Sequence, residues 1–124
     1  MITIYDKKGF VPLLTLEGES LKNRDLTGLH LEEANLVEMD LSGSRLSGSI
    51  LRHADLRLAR LVDTDLSGCD LTGADLSGAD LSGARLDGAR ISDANFTGAR
   101  LAPDALARAV REQTITVNRI DFGK

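Results

Sequence analysis

The segment GADLSGADLSGARLDGARIS, residues 73–92, repeats one pattern every five residues. A β-strand alternates its side chains with a period of 2 and an α-helix with a period of 3.6, so neither element explains this spacing. The register continues on both sides of the segment. Of the 18 positions spaced five apart from Leu16 to Leu101, sixteen are leucine, and the other two are Ile91 and Phe96. Self-similarity at a fixed period predicts a solenoid.

Each five-residue unit has a large apolar residue at its centre and a small residue two positions earlier. Of the 14 early positions from Ala34 to Ala99, nine are alanine. Ten of the twelve glycines lie two positions after a centre. A type II turn that starts at the centre needs a positive φ at this third residue, which glycine adopts without steric cost. We therefore expect one turn per unit, with large and small apolar side chains inside and stacked coils paired as in parallel strands, about 4.8 Å apart.

The units Ala34-Asn35-Leu36, Ala54-Asp55-Leu56 and Ala74-Asp75-Leu76 match the A-(D/N)-L-x-x pattern of the pentapeptide repeat family. Residues 16–101 resemble this family without interruption. The resemblance implies an all-β solenoid, a right-handed quadrilateral β-helix with four units in each coil. Leucine-rich repeats and calcium-binding nonapeptide repeats do not fit a period of five.

We expect one domain over residues 1–124, with covers at both ends of the solenoid because open ends expose apolar cross-sections and strand edges. Residues 1–15 are predicted to form a β-hairpin cap, with strands at Ile2–Tyr5 and Phe10–Leu16. Residues 16–101 form the solenoid, and residues 102–124 form a C-terminal cap.

The C-terminal cap is predicted to begin with a short helix, because Pro103 and Asp104 suit a first turn and Arg108 and Arg111 lie toward its negative end. Residues 114–122, TITVNRIDF, then predict a short strand that pairs either with its own chain or with a second copy.

The composition argues against several kinds of chemistry. The net charge of −4 gives no nonspecific attraction to nucleic acid or to an anionic membrane. His30, His53 and Cys69 lie in three different units without zinc-ligand spacing, so no metal site and no cofactor are expected. An interior filled by Leu and Ala leaves no catalytic pocket, so we do not expect an enzyme. The single cysteine and the absence of a signal-like segment or membrane span predict a cytoplasmic protein.

Residues that are four units apart should stack in columns along the rod. Two columns alternate in charge, which predicts exposed ion-pair ladders: Asp25, Arg45, Asp65, Arg85 and Asp40, Arg60, Asp80, Arg100. The column Asn35, Asp55, Asp75, Asn95 is acidic, and stacked like charges destabilise a fold. This conflict marks a candidate acidic binding face, although polar stacking with counterions is the more ordinary explanation. Its members are Asp55, Asp75, Asp63, Asp65, Asp70 and Asp80.

Two further surfaces are predicted from exposed apolar residues. The candidate apolar contact patch consists of Val37, Leu58 and Val62. The candidate dimer segment, through which a homodimer is expected, contains Leu106, Val110, Ile115 and Val117.

These features favour a noncatalytic protein-binding or scaffold module whose rod presents a patterned charged surface to a protein partner. The resemblance also implies an alternative, a DNA mimic that binds DNA gyrase and protects or inhibits it. This chain departs from such proteins in its short rod and in the absence of loops extruded from the register.

Overall fold

The computed structural model describes residues 1–110 and 115–123. Strand β1 (Ile2–Tyr5) pairs antiparallel with β2 (Pro12–Leu16), and the register shifts between Ile4 and Tyr5. The second strand begins two positions later than predicted. The carboxylate of Asp6 accepts the backbone N–H groups of Phe10 and Val11 at 2.9 and 3.0 Å, which holds both residues in the connecting loop.

After the hairpin the chain winds into stacked coils, each built from four units. Parallel bridges join residues that are one coil apart in four columns, such as Asp25 to Arg45 and Asn35 to Asp55. Leu56 donates its N–H to the carbonyl of Asp75 at 2.7 Å, in the coil above. Four columns, one for each unit of a coil, give each coil four sides, as predicted.

The centre of every unit from Leu21 to Leu101 is buried, with at most 3% of its surface exposed. Most of the small positions two residues earlier are buried as well, Ala34 and Ala99 among them. The predicted assignment of inward and outward positions is therefore confirmed. Leu16, the first predicted centre, lies in β2 and is half-buried.

The turns also agree with the sequence. The third turn residue of every unit from Gly18 to Gly98 has a positive φ. Seven of these positions carry a residue other than glycine, including His53 and Leu58, with φ of 57° and 62°. Most turns are closed by a hydrogen bond from the fourth residue to the centre, as from Ala34 N–H to Leu31 carbonyl at 3.1 Å.

Two turns of the first coil are closed by a serine hydroxyl from the second coil. The buried Ser49 hydroxyl donates to the Leu26 carbonyl at 2.6 Å and accepts the Leu29 N–H at 2.9 Å. Ser44 bridges the preceding turn in the same way and accepts the N–H of Arg24 at 2.9 Å. These serines occupy alanine positions because their hydroxyls satisfy backbone groups that the first coil leaves unpaired.

The predicted C-terminal helix is wrong for the described residues, because residues 101–110 form turns and no helix. Gly88 N–H donates to the carbonyl of Arg108 at 2.9 Å, and Ile91 N–H donates to that of Val110 at 2.9 Å. These bonds to the coil below would be lost in a helix, whose carbonyls bond internally. Arg111 and Thr114, which belonged to the predicted helix and strand, lie outside the described residues.

Parallel pairing instead continues past Leu101. Val110 pairs with Arg90 at the usual spacing of one coil, whereas Thr116 pairs with Asn95 and Asp121 with Arg100. The last two partners are one position further apart than those in the regular coils, so the coil beyond Leu101 is slightly longer. The predicted terminal strand thus pairs with its own chain, as a further coil. Within the described ranges, no helix has the length and apolar character needed to cross a bilayer.

Candidate binding surfaces

Acidic and amide side chains line the corners of the rod because each one caps a turn. In nine units the side-chain oxygen of the residue before the centre accepts the backbone N–H two residues later, at 3.0–3.2 Å. These residues are Asp25, Asn35, Asp40, Asp55, Asp65, Asp70, Asp75, Asp80 and Asn95. This is the local bonding for which Asp and Asn are favoured in turns. The capping role was not predicted from the sequence, although the recurrence of Asp or Asn before nine of the eighteen centres is its signal.

Capping changes the acidity of these carboxyl groups. The hydroxyl and the backbone N–H of Thr27 hydrogen-bond the carboxylate of Asp25 and hold its pKa below the usual value. Hydrogen bonds from the Arg57 side chain lower the pKa of Asp55. Burial alone would raise the pKa of Asp70, but the hydrogen bonds from Thr72 outweigh it and the net shift is downward. Hydrogen bonds to the charged form favour ionisation, so these groups are anionic at neutral pH.

The candidate acidic face is not one face, and this prediction is corrected. Asp55 stacks on Asp75, but Asp65, Asp70 and Asp80 pair with Arg45, Ile50 and Arg60, in three other columns. Asp63 lies at a turn position in a further unit. A step of one unit carries the chain to the next side of the coil, and only a step of four units returns to the same side. The six carboxylates are therefore distributed around the rod.

Basic side chains also divide the acidic surface. The guanidinium of Arg57 contacts both carboxylate oxygens of Asp55, at 2.8 and 2.7 Å. The predicted ladders contain three ion pairs between adjacent coils: Arg45–Asp25 at 3.0 Å, Arg60–Asp40 at 3.8 Å and Arg100–Asp80 at 3.9 Å. Exposed pairs of this kind contribute little to stability, because water screens their attraction.

Two members of the apolar patch share a shallow groove, which we call the Leu58 groove. Val37, Glu38, Arg57, Leu58, Ser77 and Gly78 line this groove, whose volume is about 420 Å³. Leu58 is 57% exposed, whereas Val37 is half-buried. Val62 does not line the groove. Its carbonyl accepts the N–H of Gly43 at 2.9 Å, in the stack of turns at the next corner.

The backbone at Leu58 is strained in a way that projects its side chain. Its φ of 62° lies in the left-handed region, which costs an L-residue roughly 1–2 kcal/mol. A methyl group on Gly78, in the coil above, would lie 2.8 Å from Leu58 Cδ2. The shape of the groove therefore depends on a leucine where glycine is preferred and on a glycine directly above it.

The candidate dimer segment lies on the coil that continues beyond Leu101. Val117 and Phe122 are 45% and 46% exposed, whereas Phe96 and Leu101, their counterparts in the coil below, are buried. Leu106, Ile115 and Ile120 pack against the core from one side and are half-buried. Val110 differs from the rest of the segment because it stacks over Arg90 in an outward column.

The two histidines lie on the surface and the single cysteine lies in the core. His30 and His53 are exposed, and no group of three or more potential ligands among the described residues could hold a metal ion. Cys69 is buried, its thiol lies 2.7 Å from the Leu46 carbonyl, and burial raises its pKa to about 12. Since the thiolate is the reactive form, Cys69 is inert at neutral pH.

Stacked coils of four units, one turn per unit and a core of leucine and alanine define a four-sided β-solenoid. A family model described as pentapeptide repeats matches residues 25–61 and 64–101 in eight copies. The chain belongs to the pentapeptide repeat family.

Three solved structures of cyanobacterial pentapeptide repeat proteins are similar to this chain. HetL from Nostoc sp. strain PCC 7120, involved in heterocyst differentiation regulation, is 43% identical over 67% of this chain and 35% of its own, with a TM-score of 0.66. Rfr23 from Cyanothece 51142 is 32% identical over 79% of this chain and 63% of its own, with a TM-score of 0.60.

The protein alr5209 from Nostoc PCC 7120 is 36% identical over 76% of this chain and 84% of its own, with a TM-score of 0.62. The chain thus spans only about a third of the length of HetL. These relatives support the right-handed quadrilateral β-helix. A comparison with curated protein sequences gives no significant match.

Proposed function

We propose that this protein is a noncatalytic protein-binding module and that the Leu58 groove is its contact site. The single observation that carries the proposal is the strained, 57% exposed leucine directly below Gly78. Most other units place glycine or a polar residue at this turn position. A leucine at this position strains the backbone and also exposes apolar surface to water. Burial of that surface against a partner would remove the cost of exposure.

The composition of the groove supports this role. Leu58 and Val37 form an apolar centre, with Glu38 and Arg57 beside it. Protein interfaces commonly combine an apolar centre with a polar rim. Arg57 is fixed by its two contacts with Asp55, so part of the rim is ordered before binding. We rank this function above DNA mimicry because the carboxylates are distributed over four columns and Asp55 is paired.

We also propose a cytoplasmic homodimer that forms through the coil beyond Leu101. The half-exposed Val117 and Phe122 would be covered by the same residues of a second copy, as in an isologous interface. Thr116 pairs with the coil below through its N–H, which donates to the Ala94 carbonyl at 3.0 Å, so a second copy could pair only with the opposite edge of this coil. Exposed strand edges are templates for pairing with another chain.

Photocrosslinking from the groove tests the binding function. Leu58 is replaced by benzoylphenylalanine, and the purified protein is irradiated in a lysate of the organism that makes it. His53 is the matched control, because it has the same turn position in the same coil, is exposed, has φ of 57° and contacts a glycine in the coil above.

We expect a discrete adduct from position 58 and none from position 53. Excess unlabelled wild-type protein should suppress the adduct, whereas excess Leu58→Asp protein should not. Equal adducts from both positions, or an adduct that Leu58→Asp suppresses as well as wild type, would contradict a specific groove.

A further inference from the structure

One side of the rod has a gap in the hydrogen bonding between coils. Three neighbouring backbone groups there have no hydrogen-bond partner in the described part of the chain: the Gly83 N–H, the Ala84 carbonyl and the Leu86 N–H. One coil lower on the same side, the Leu66 N–H donates to the Arg85 carbonyl at 2.8 Å. The pairing is therefore regular below this stretch and missing above it.

The sequence above the gap explains why the pairing is missing. Pro103 occupies the third turn position of the unit centred on Leu101, where the earlier units have a positive φ. The proline ring fixes φ at about −65°, so the regular turn cannot form. The turn is displaced by one residue instead, and Ala105 N–H donates to the Ala102 carbonyl at 3.1 Å. Both of these groups would otherwise bond to the coil below.

The next residue keeps this part of the chain out of the core. Asp104 lies two positions before Leu106, where most regular units have a small buried residue. Burial of a carboxylate in that position would be costly, and Asp104 is exposed. Ala84, which a buried residue would cover, is half-buried, whereas Ala79 and Ala89 are fully buried. The gap therefore leaves Ala84 accessible to solvent.

The gap forms a slot that residues 102–107 cover only loosely. Its volume is about 170 Å³, and because Ala84 lies on its floor we call it the Ala84 slot. Within the covering segment, Ala105 and Leu106 are half-buried and the other four residues are exposed. The described backbone hydrogen bonds of the segment are local, such as the bond from Ala107 N–H to the Asp104 carbonyl at 3.0 Å. Displacement of the segment would therefore break no described backbone bond to the coil below.

The charges that line the slot leave one cation without a second acidic neighbour. Asp87 lies 3.5 Å from Arg108, so these two side chains pair with each other. Asp104 belongs to the covering segment and would move with it. Arg85 stacks on Asp65 in the coil below, and its column would continue above it with an acidic residue if the charges went on alternating. The chain has an alanine at that position.

We propose that the Ala84 slot binds an extended segment of another protein, which adds to the ladder as a parallel strand while residues 102–107 move aside. Two carbonyls of the partner segment accept the N–H groups of Gly83 and Leu86, and one of its N–H groups donates to the Ala84 carbonyl. Addition of a strand to an open sheet edge is a common mode of peptide recognition.

The regular units define the side chains that this partner segment should have. Three successive residues of a regular unit place a small side chain inward, a polar one outward and a large apolar one inward. An acidic outward residue would lie over Arg85 and extend its column. The partner segment is therefore small, acidic and aliphatic at three successive positions. This inference goes beyond the proposed function, because the slot lies on a different side of the rod from the Leu58 groove.

A synthetic peptide with the sequence of residues 76–83, LSGADLSG, is the probe, because it contains the three side chains in this order. Backbone amide exchange is followed by NMR with and without the peptide. In the free protein the amides of Gly83 and Leu86 should exchange faster than those of Asp63 and Leu66, which are paired. Addition of the peptide should slow the exchange of Gly83 and Leu86.

Variants of the peptide and of the protein test the recognition. Peptides with aspartate in place of the alanine, or arginine in place of the aspartate, should bind about tenfold more weakly in fluorescence polarisation. The protein variant Pro103→Gly, Asp104→Ala removes both obstacles to a regular coil, so its own segment should fill the slot. Exchange of the Leu86 amide should then slow, and peptide affinity should fall by about tenfold. Leu58→Ser is the matched control and should leave peptide affinity unchanged.

Four results would overturn the proposal. The first is no binding of the peptide at millimolar concentration, and the second is protection confined to amides of the coil beyond Leu101. The third is full peptide affinity in the Pro103→Gly, Asp104→Ala protein, or Leu86 exchange that remains fast in it. The fourth is Leu86 protection that rises with protein concentration without peptide, which would assign the slot to a second copy of this chain.

Discussion

The carboxylate of Asp75 accepts the backbone N–H of Ser77 at 3.0 Å. The same contact in other units shows that an Asp directly before a centre has a task independent of its charge. Asn95 performs it with an amide oxygen, at 3.0 Å from the N–H of Thr97. The acidity of the surface is therefore in part a by-product of turn formation.

This contact predicts different outcomes for two substitutions at one position. Asp75→Asn keeps the accepting oxygen and removes a charge stacked on Asp55, so the free energy of unfolding should change by less than about 0.5 kcal/mol. Asp75→Ala leaves the Ser77 N–H without its acceptor and should cost about 1 kcal/mol. Urea denaturation measures both, and equal losses would show that charge, not capping, matters here.

The leucine ladder should carry most of the stability. Leu71 is fully buried in the middle of the rod, so Leu71→Ala should cost about 2–5 kcal/mol. Ser67→Ala is the control, since Ser67 is an outward residue of the neighbouring unit and does not belong to the buried core. The substitution should cost little in the same denaturation experiment. Similar losses for both variants would contradict the assignment of inward and outward positions.

Acid should destabilise the protein through the capping carboxylates. Thr27 lowers the pKa of Asp25 and Arg57 lowers that of Asp55, from an ordinary value of 3.8. Between the folded and unfolded pKa values the unfolded chain binds more protons, so stability rises with pH. The contribution is fully present above about pH 4 and is lost as pH falls through the folded values.

The urea midpoint measured from pH 6 to pH 2 checks this prediction. We expect it to fall below about pH 4, and the double variant Asp25→Asn, Asp55→Asn should show a smaller fall than wild type. A midpoint that is constant or rises on acidification would exclude these carboxylates as the cause.

The proposed dimer predicts a change of mass in solution. Phe122→Asp places a charge on the half-exposed surface of the coil beyond Leu101 and should convert the dimer into a monomer. Val11→Asp, at the hairpin end, should leave the mass unchanged. Light scattering at high micromolar concentration distinguishes the two variants. A wild-type protein that is monomeric under these conditions would refute the dimer.

We expect no effect on DNA gyrase at micromolar concentration. Residues 17–101 contain fifteen acidic and nine basic side chains, so 15 − 9 leaves a net charge of −6. At about 4.8 Å per coil this segment is roughly 20 Å long and has one net charge per about 3.5 Å. Duplex DNA has one negative charge per about 1.7 Å of its length. The rod therefore has about half the charge density of the DNA that it would have to mimic.

A supercoiling assay with and without a quinolone measures this directly. Dose-dependent protection that is lost in Asp55→Asn, Asp75→Asn protein would place DNA mimicry above the binding function proposed above. Protection that survives this double variant would also count against our ranking, but would locate the contact elsewhere on the rod.

The regular part of the fold could be predicted because each unit obeys one local rule. The period, the inward centres and the positive φ at the third turn residue follow from residue size and glycine content, and all three were found. The capping by Asp75 and the bridging by Ser49 were missed, since they depend on which backbone groups remain unpaired once the coils stack.

The errors have a common physical origin. The helix predicted from Pro103 onward ignored the carbonyls of Arg108 and Val110, which bond to the coil below. The prediction of one acidic face placed Asp65, Asp70 and Asp75 on the same side of the rod because they are close in sequence. Each of these residues lies in a different column. In both cases the local pattern was correct and the contact between coils decided the outcome.

The charges in the two columns repeat over a longer distance along the rod than the backbone does. The main chain repeats with every coil, but the charges of Asp40, Arg60, Asp80 and Arg100 repeat only with every second coil. Removal of one coil, such as residues 61–80, would keep every backbone bond pattern and yet stack Arg100 on Arg60 and Arg85 on Arg45. Removal of two coils would restore alternation in both columns. Insertions or deletions in such a rod therefore avoid stacked like charges only when they comprise an even number of coils. The charge pattern has a repeat of two coils, as in a crystal whose charge order doubles the unit cell.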